Sequence, residues 1–357
     1  MVKLNSNSLK VYIMKHKLKY LALFTLVFML SCTNQDNVFD DFDVQNVYFP
    51  LQFPVRTVNL IEDSRIDNSI DLDRAFSIGV SIGGLRNNTK DRVINIAPAP
   101  ELADNALIDG RTALVMPSNY YSIESSNSIT IPAGSFSGKI RVDLTDAFFA
   151  DPLALEANYV IPLKIINGNY SVLDGTPSAS VAAPDVRVTS DWEAGKAPKN
   201  FTMFAVKYIN KYDGVYLYKG EDSTLDGPNG NVVGTPTTYN EAFLERNDDT
   251  ELTTLTLSKS LTNRMGQNVG NNFQMELTIA DNGSITISPV TGANPVTGTG
   301  RFVTRDDADA ESWGGQSHKT MFLEYEYENG GVFHRVKDTL VYRNDNTVFE
   351  QFDLTIN

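Results

Sequence analysis

The chain has 357 residues, with 44 acidic against 30 basic side chains and a formal net charge of −14 at pH 7. A surface of that charge repels phosphate backbones and anionic lipid headgroups, which argues against nucleic acid or a basic membrane-binding patch as partners. One cysteine and three histidines are too few for a disulfide framework or a multi-histidine metal centre, and we expect no cofactor and no metal.

The first element is an apolar run, Leu21–Cys32, which follows three lysines within residues 15–19. A basic region, a short apolar run and small residues before a cleavage point are typical of a secretory signal. The run is too short to cross the roughly 30 Å hydrocarbon core as a helix. A cysteine directly after Ser31 resembles a bacterial lipoprotein signal, which implies that Cys32 carries lipid at the mature N-terminus. The alternative is a buried strand with an ordinary core cysteine.

Removal of residues 1–31 would take away five lysines and no acids, leaving a net charge near −19. The only histidines beyond that point are His318 and His334. Residues 32–45 are polar and acidic, with too little apolar surface to offset the entropy of ordering, so we expect a flexible tether. We therefore expect the protein to be anchored by lipid in the outer membrane, at the cell surface.

Residues 46–186 read as a series of short strands separated by Gly, Pro, Asn and Asp. No long segment has a helical period, although Pro152–Ala157 predicts one helical turn. Seven or eight strands in about 140 residues are typical of an immunoglobulin-like β-sandwich. The strands are predicted at Asn46–Pro54, Val55–Leu60, Phe76–Gly83, Asp91–Ile96, Tyr120–Ile123, Ser128–Ile131, Lys139–Leu144 and Tyr159–Ile166.

Three runs in this half carry a resemblance to a known family: NVYFPLQFPVRTVNL, SNYYSIESSNSITIPAGSFSGKIRVDL and EANYVIPLKIING. From about Val44 to Val186 the chain resembles the DUF1735 domain of Bacteroidetes lipoproteins, which implies an N-terminal sandwich behind the lipidated cysteine. In some exported endoglycosidases this domain precedes a hydrolase domain without being the catalytic part. The Asp-rich catalytic strand of those hydrolases is absent here.

Residues 187–200 contain Pro198 and no long apolar run, so they predict a linker, with a second domain at residues 201–357. Asn282-Gly283 and Glu328–Gly331 are strong hairpin signals. An antiparallel meander of seven to eight strands predicts a lipocalin-like barrel. The strands are predicted at Val215–Lys219, Leu252–Ser258, Phe273–Ile279, Ser284–Pro289, Gly298–Val303, Thr320–Tyr327 and Val332–Val341.

The second domain opens with FTMFAVKYINKYDGVY, residues 201–216. This run resembles the start of the DUF4361 domain that follows DUF1735 in Bacteroidetes surface lipoproteins. The domain pair implies a glycan-binding protein of a polysaccharide-utilisation system, which captures oligosaccharide or polysaccharide and passes it to an outer-membrane, TonB-dependent transporter.

Both tryptophans stand among polar residues, as in a sugar platform, where a ring packs on the apolar face of a pyranose and polar groups bond its hydroxyls. Trp313, Gln316 and His318 form one candidate group, and Trp192 stands apart. Packing at the domain junction is the alternative for Trp192, and a lid at the barrel mouth for Trp313. Tyr216 and Tyr218, at period two, are ligand candidates with core filling as the alternative.

Glu324, Glu326 and Glu328 alternate with Leu323, Tyr325 and Tyr327. Period two places the acids on one strand face, which is typical of a solvated surface, although acid pairs also serve glycoside hydrolysis. No Gly-x-Ser-x-Gly, HExxH or phosphate-binding glycine loop is present in the sequence. We therefore expect a non-catalytic glycan-binding lipoprotein, with a scaffold protein and a hydrolase using this acid group as the alternatives.

Overall fold

Two β-sheets packed face to face form a sandwich in this computed structural model, which describes residues 40–62, 66–125, 127–166 and 168–357. Residues 43–357 form one compact unit, and of the unit before them only residues 40–42 are described. The first sheet has five strands in the order β12-β1-β3-β10-β8: β1 (Asn46–Tyr48), β3 (Ala75–Gly83), β8 (Tyr121–Ile123), β10 (Ser137–Leu144) and β12 (Ser171–Val172).

The second sheet has seven strands, in the order β27-β2-β13-β11-β4-β9 with β7 paired to β11. Its inner face packs on the first sheet through residues such as Val58, Ile161 and Val206, and its outer face holds a smaller core around Phe201 and Met203. The strands are β2 (Pro54–Asn59), β4 (Arg92–Pro98), β7 (Leu114–Val115), β9 (Ser128–Ile131), β11 (Tyr159–Ile165), β13 (Phe201–Ile209) and β27 (Glu350–Gln351).

The remaining elements of this half are short. The strands β5 (Ala106–Ile108), β6 (Arg111–Thr112) and β28 (Leu354–Ile356) form a three-stranded sheet beside the smaller core. Two one-turn helices, α1 (Ser69–Leu72) and α2 (Asp146–Phe149), flank the sandwich. The turn predicted at Pro152–Ala157 is a 3-10 turn over Pro152–Leu155.

A closed antiparallel β-barrel of eight strands follows, in the meander order β14-β16-β17-β20-β21-β22-β25-β26, and β26 pairs back to β14. A ninth strand, β15, extends the wall beside β14. The strands are β14 (Gly214–Leu225), β15 (Thr237–Tyr239), β16 (Asp249–Thr256), β17 (Lys259–Thr262), β20 (Met275–Ile279), β21 (Ser284–Pro289), β22 (Val296–Val303), β25 (Thr320–Asn329) and β26 (Val332–Asn344). The predicted all-β architecture, a sandwich followed by a barrel, is confirmed.

Two further hairpins lie in barrel loops: β18 (Arg264–Met265) with β19 (Asn268–Val269), and β23 (Ser312–Trp313) with β24 (Gln316–Ser317). Both predicted hairpin turns are present in the wall. Gly283 has φ +82° between β20 and β21, and Gly330 and Gly331 have φ of +60° and +87° between β25 and β26. Between β25 and β26 the left-handed conformation of both Gly330 and Gly331 is what a two-residue type I′ turn requires, whereas the β20–β21 loop spans four residues and only its last, Gly283, is left-handed.

The strand Phe201–Ile209, expected to open the second domain, belongs instead to the sandwich. It pairs in parallel with β2 and antiparallel with β11, and the C-terminal β27 also returns to β2. The barrel therefore begins at Gly214, and residues 201–209 and 350–356 complete the first half of the molecule. The expected signal peptide, Cys32 and residues 33–39 of the tether lie outside the described residues.

The four residues between β13 and β14 join the two halves. Asn210 is fully buried, and its side-chain amide donates to the carbonyls of Thr256 and Lys259 at 2.7 and 2.9 Å. Asp213 accepts from both the backbone amide and the hydroxyl of Thr254, at 2.7 and 2.6 Å. Because burial raises the pKa of Asp213, these donors are needed to compensate the lost water.

Gly298→Ala tests how closely the barrel wall is packed. A Cβ at Gly298 would lie 2.4 Å from both the carbonyl oxygen of Glu324 and the Cβ of Tyr325 on the paired strand. We expect a loss of about 1–3 kcal/mol in the free energy of unfolding, the scale of an overpacked core. Gly227→Ala, where a Cβ meets no atom within 4 Å, is the control, and equal losses from both in urea unfolding would contradict this close packing.

Candidate functional site

A carboxylate lies inside the barrel on β26. Asp338 is 2% exposed and accepts hydrogen bonds from the hydroxyls of Tyr218, Tyr239 and Tyr325, the last at 2.6 Å. Loss of water raises the pKa of Asp338 to about 6, although the three hydroxyl donors oppose that shift. Three donors on one acid satisfy its oxygens, which makes this buried polar cluster tolerable in an apolar barrel.

Two of these tyrosines stack beneath a guanidinium group. The rings of Tyr218 and Tyr239 lie 5.7 Å apart and nearly parallel, and the guanidinium of Arg264 lies 4.5 Å from the Tyr218 ring. Arg264 also donates to the Asp248 carboxylate and to the carbonyl of Asp249, at 2.8 and 2.9 Å. The arginine is thereby held rigidly over the aromatic rings.

A polar pocket of about 290 Å³ opens against this stack. We call it the mouth pocket. Arg246 lies over the ring of Phe243 at 4.8 Å and forms no ion pair with any described residue. The pocket wall consists of aromatic rings, guanidinium groups, amides and acids, and comprises Tyr218, Thr238, Tyr239, Asn240, Glu241, Arg246, Asn247, Asp248, Arg264 and Gln267.

The β18–β19 hairpin closes the barrel beside the mouth pocket. Met265 is fully buried in the barrel core, and the backbone amide of Gly266 donates to the hydroxyl of Tyr325 at 2.7 Å. Because Tyr325 donates in turn to Asp338, the hairpin, the buried acid and the tyrosine stack form one hydrogen-bonded unit. Mobility of the pocket wall is limited by these contacts.

A second acid lies nearby in the barrel. Asp222 accepts from the hydroxyl of Tyr327 at 3.3 Å, and its other oxygen lies 2.9 Å from Nδ1 of His334. The imidazole stacks on the Tyr327 ring at 4.6 Å. The charge of Asp222 contributes to the raised pKa of Asp338, so the two acids are electrostatically linked. This arrangement orients His334, but among the described residues no nucleophilic side chain forms a hydrogen bond with it.

Trp313 and Gln316 pair in the β23–β24 hairpin, and His318 follows directly after it. Trp313 is half-buried, its ring stacks on His318 at 4.6 Å, and its indole nitrogen donates to the carbonyl of Tyr342 at 3.1 Å. Gln316 is exposed. The hairpin lies between β22 and β25, at the barrel end opposite the mouth pocket, so these residues form a separate group.

The other three candidates are core residues. Trp192 is 9% exposed and its indole nitrogen donates to the carbonyl of Asp185 at 2.9 Å, which fastens the segment before β13. Tyr216 is fully buried and donates to the carbonyl of Tyr212 at 2.8 Å. Tyr218 is 2% exposed, although it reaches the mouth pocket. Tyr216 therefore fills the core, Trp192 is packed against the segment before β13, and Tyr218 is a core residue whose ring also lines the mouth pocket.

The acids of β25 lie on the outer face of the barrel, and Tyr325 and Tyr327 are buried inside, as period two predicted. Glu326 pairs with Arg335 at 2.6 Å and also accepts from the backbone amide of Asn229. Glu324 lies 3.8 Å from the ammonium of Lys337. Glu326 and Glu328 also line an outer pocket of about 260 Å³. Because the three acids follow one another along one face of a single strand, they do not oppose each other across a cleft as the two carboxyls of a glycosidase do.

The sequence reasoning missed Asp338, Tyr239 and Arg264. One signal was available for Asp338, because it occupies an inward position between the apolar and buried Val336 and Leu340 of the same strand. No local pattern marks Arg264 or Tyr239, which reach the pocket from the β18–β19 hairpin and from β15. Within the described ranges, no group of three acid, histidine or cysteine side chains is placed to hold a metal, and no helix is long and apolar enough to span a bilayer.

These features define a class of protein: a two-part, all-β chain in which a sandwich carries a closed eight-stranded barrel with a polar pocket at one end. The family model for a domain of unknown function, DUF5627, matches residues 211–346, which are the barrel. A second family model, described only as an N-terminal domain, matches residues 42–171. No curated protein matches the chain.

A crystal structure of a Bacteroides ovatus protein of unknown function is 30% identical, with a TM-score of 0.78 over 88% of this chain and 100% of that one. The chain belongs to the family of this protein. A multidomain protein including DUF1735, also from Bacteroides ovatus, is 13% identical with a TM-score of 0.40 over 83% of this chain and 93% of that one. The resemblance to DUF1735 and DUF4361 stays a prediction.

Asp338→Asn tests the protonation of the buried cluster. The native pKa of Asp338 lies above that of an unfolded aspartate, near 3.9. The native state therefore keeps a proton that the unfolded chain releases, and this contribution to stability, complete below about pH 4, is lost as the pH rises through about 6. We expect urea unfolding to show that, between pH 4 and pH 7, the free energy of unfolding of the wild type falls by on the order of 1–3 kcal/mol relative to that of Asp338→Asn.

Asp353→Asn, at an exposed acid, controls for the general effect of removing one charge. Parallel pH profiles for wild type and Asp338→Asn would contradict a raised native pKa.

Proposed function

We propose that this chain is a non-catalytic glycan-binding lipoprotein of a polysaccharide-utilisation system, built of DUF1735-like and DUF4361-like halves. The mouth pocket is the observation that carries the proposal. Its volume of about 290 Å³ and its position at one end of an eight-stranded barrel are suited to one small ligand or to one unit of a longer one.

The chemistry of the pocket favours a sugar over an apolar ligand. Asn240, Asn247 and Gln267 offer amide donors and acceptors, and Arg246 and Arg264 offer charged donors for hydroxyl oxygens. The stacked ring of Tyr239 offers an aromatic surface for the apolar face of a pyranose. Since Arg264 is already paired with Asp248, the pocket has little net charge to attract a strongly anionic ligand.

The Trp313 hairpin supports a second contact with the same polymer. Its half-buried indole is fixed by His318 and the Tyr342 carbonyl, and Gln316 beside it is exposed. Because the hairpin and the mouth pocket lie at opposite ends of the barrel, one short oligosaccharide would occupy one of them, and only a long chain would reach both.

A scaffold lipoprotein that docks a partner protein is the alternative, and a glycoside hydrolase is the less favoured one. Of the acids expected to serve a hydrolase, Glu324, Glu326 and Glu328, the first two are paired with Lys337 and Arg335 on the outer wall. This pairing supports the non-catalytic proposal, and assays for released reducing ends on the polysaccharides that bind would test it.

The lipid anchor is the second part of the proposal. Cys32, directly after the apolar run, would hold the protein in the outer membrane at the cell surface, where captured oligosaccharide passes to a TonB-dependent transporter. The acidic chain is suited to export and is not expected to bind nucleic acid.

Affinity electrophoresis of residues 33–357 on a panel of neutral polysaccharides tests glycan binding. We expect retardation by at least one polymer. In Gln267→Ala or Arg246→Ala the free energy of binding to that polymer should weaken by about 1–3 kcal/mol, the scale of a lost hydrogen bond to a charged or buried partner. Arg305→Ala, at an exposed arginine outside the mouth pocket, is the control. Unretarded migration of folded protein on the whole panel would favour the scaffold alternative.

Trp313→Ala separates the two candidate contacts. For a polysaccharide we expect the free energy of binding to weaken by about 1–3 kcal/mol, the scale of an aromatic anchor. For a short oligosaccharide held in the mouth pocket we expect no change in the free energy of binding. Binding that is indifferent to Trp313→Ala with both ligands would remove the hairpin from the site.

Cys32→Ser tests the anchor in a bacterial host that processes lipoproteins. We expect the wild type in the membrane fraction with labelled fatty acid attached, and the variant in the soluble fraction without label. A wild-type protein that is soluble and keeps a free thiol would overturn this part of the proposal and leave the glycan assay unaffected.

A further inference from the structure

A larger and mainly apolar pocket of about 460 Å³ lies in the sandwich, and no residue of the barrel strands lines it. We call it the sandwich pocket. It is lined by the rings of Phe49, Phe204 and Phe349 together with Leu51, Ile70 and Ile78. Its volume falls within the range of small-molecule sites, which are mostly apolar with a few placed polar groups.

Two observations point to an occupant. Phe349 lines the pocket and yet is 71% exposed, so a large ring is left unsheltered beside an apolar cavity. Thr202 also lines the pocket, is 1% exposed, and its hydroxyl has no hydrogen-bond partner. A buried hydroxyl without a partner costs free energy that a ligand or a water would recover. Both features are those of a cavity that is incomplete without a bound molecule.

The charged side chains at the sandwich pocket indicate which kind of apolar ligand it would bind. Arg56 is already paired with the buried carboxylate of Asp71. Lys139 also lines the pocket, is exposed, and forms no ion pair with any described residue. The protein as a whole has an excess of acids, but at this cavity an unpaired ammonium lies beside an apolar surface. The pocket is therefore complementary to an amphiphile with an anionic head.

We propose that the sandwich pocket binds a single-chain fatty acid, with its tail against Phe49 and Phe204 and its carboxylate at Lys139. Burial of the tail would also cover the Phe349 ring, and removal of apolar surface from water would favour binding. The proposal is independent of glycan binding, because none of these residues lies in the barrel.

Calorimetric titration of the protein with dodecanoate, below its micelle concentration, tests the proposal. We expect one site per chain, and binding at least about threefold weaker for dodecanol, which lacks the charge. Lys139→Gln should lower the affinity for dodecanoate by a similar factor and leave dodecanol unchanged. Lys90→Gln removes the same charge from an exposed lysine outside the pocket and should change neither.

Thr202→Leu tests the cavity itself. The larger apolar side chain fills space and removes the unpartnered hydroxyl, so we expect binding to fall about tenfold or more while thermal stability stays equal or rises. Thr57→Val, at another buried hydroxyl without a partner that does not line the pocket, should leave binding unchanged. This pair of variants keeps the test valid, because loss of fold would appear as a lowered melting temperature.

Three results would overturn the proposal: no saturable binding of dodecanoate, equal binding by Thr202→Leu, or binding that Lys139→Gln and Lys90→Gln weaken equally. Light scattering with increasing protein concentration checks the competing occupant. A dimer that Thr202→Leu abolishes, in the absence of lipid, would assign the pocket to a second copy of the chain instead.

Discussion

The pairing of β14 with β26 is the constraint on which the barrel and its polar site depend. It runs from Val215 opposite Asn344 to Leu225 opposite Phe333 and joins the first and last strands of the meander. Only this closure places Tyr218 of β14 beside Asp338 of β26, with Tyr325 completing the cluster from β25. In an open sheet the acid would face water, and the tyrosine hydroxyls would have no buried partner to satisfy.

The sandwich contributes support more than chemistry to this site. Its second sheet takes in β13 immediately before the barrel begins and β27 after the barrel ends, so both ends of the barrel chain are fastened to one sheet. The buried Asn210 and the half-buried Asp213 then bond the backbone of the two residues that flank the β16–β17 turn and of β16 itself. A barrel held at both chain ends keeps its other end, with the mouth pocket, free for a ligand.

The two pockets differ in a way that follows from their surroundings. The mouth pocket is bounded by loops, where Arg246 and Gln267 can stay hydrated until a polar ligand replaces the water. The sandwich pocket lies between strand faces selected for burial, such as those of Ile78 and Phe204, and so is apolar. The polar pocket and the apolar pocket therefore lie in different halves of one chain.

Local pattern determined much of this protein: the all-β class, most strand positions, the Asn282-Gly283 turn, and the alternation that buries Tyr325 and exposes Glu324. These follow from period two and turn chemistry, which act over a few residues. The tertiary structure decided what depends on distant pairing. It placed β13 in the sandwich, used the short polar β17 as an eighth wall strand, and brought Arg264 to Tyr218. Contacts between residues far apart in the chain leave no local pattern, so only the closed fold determines them.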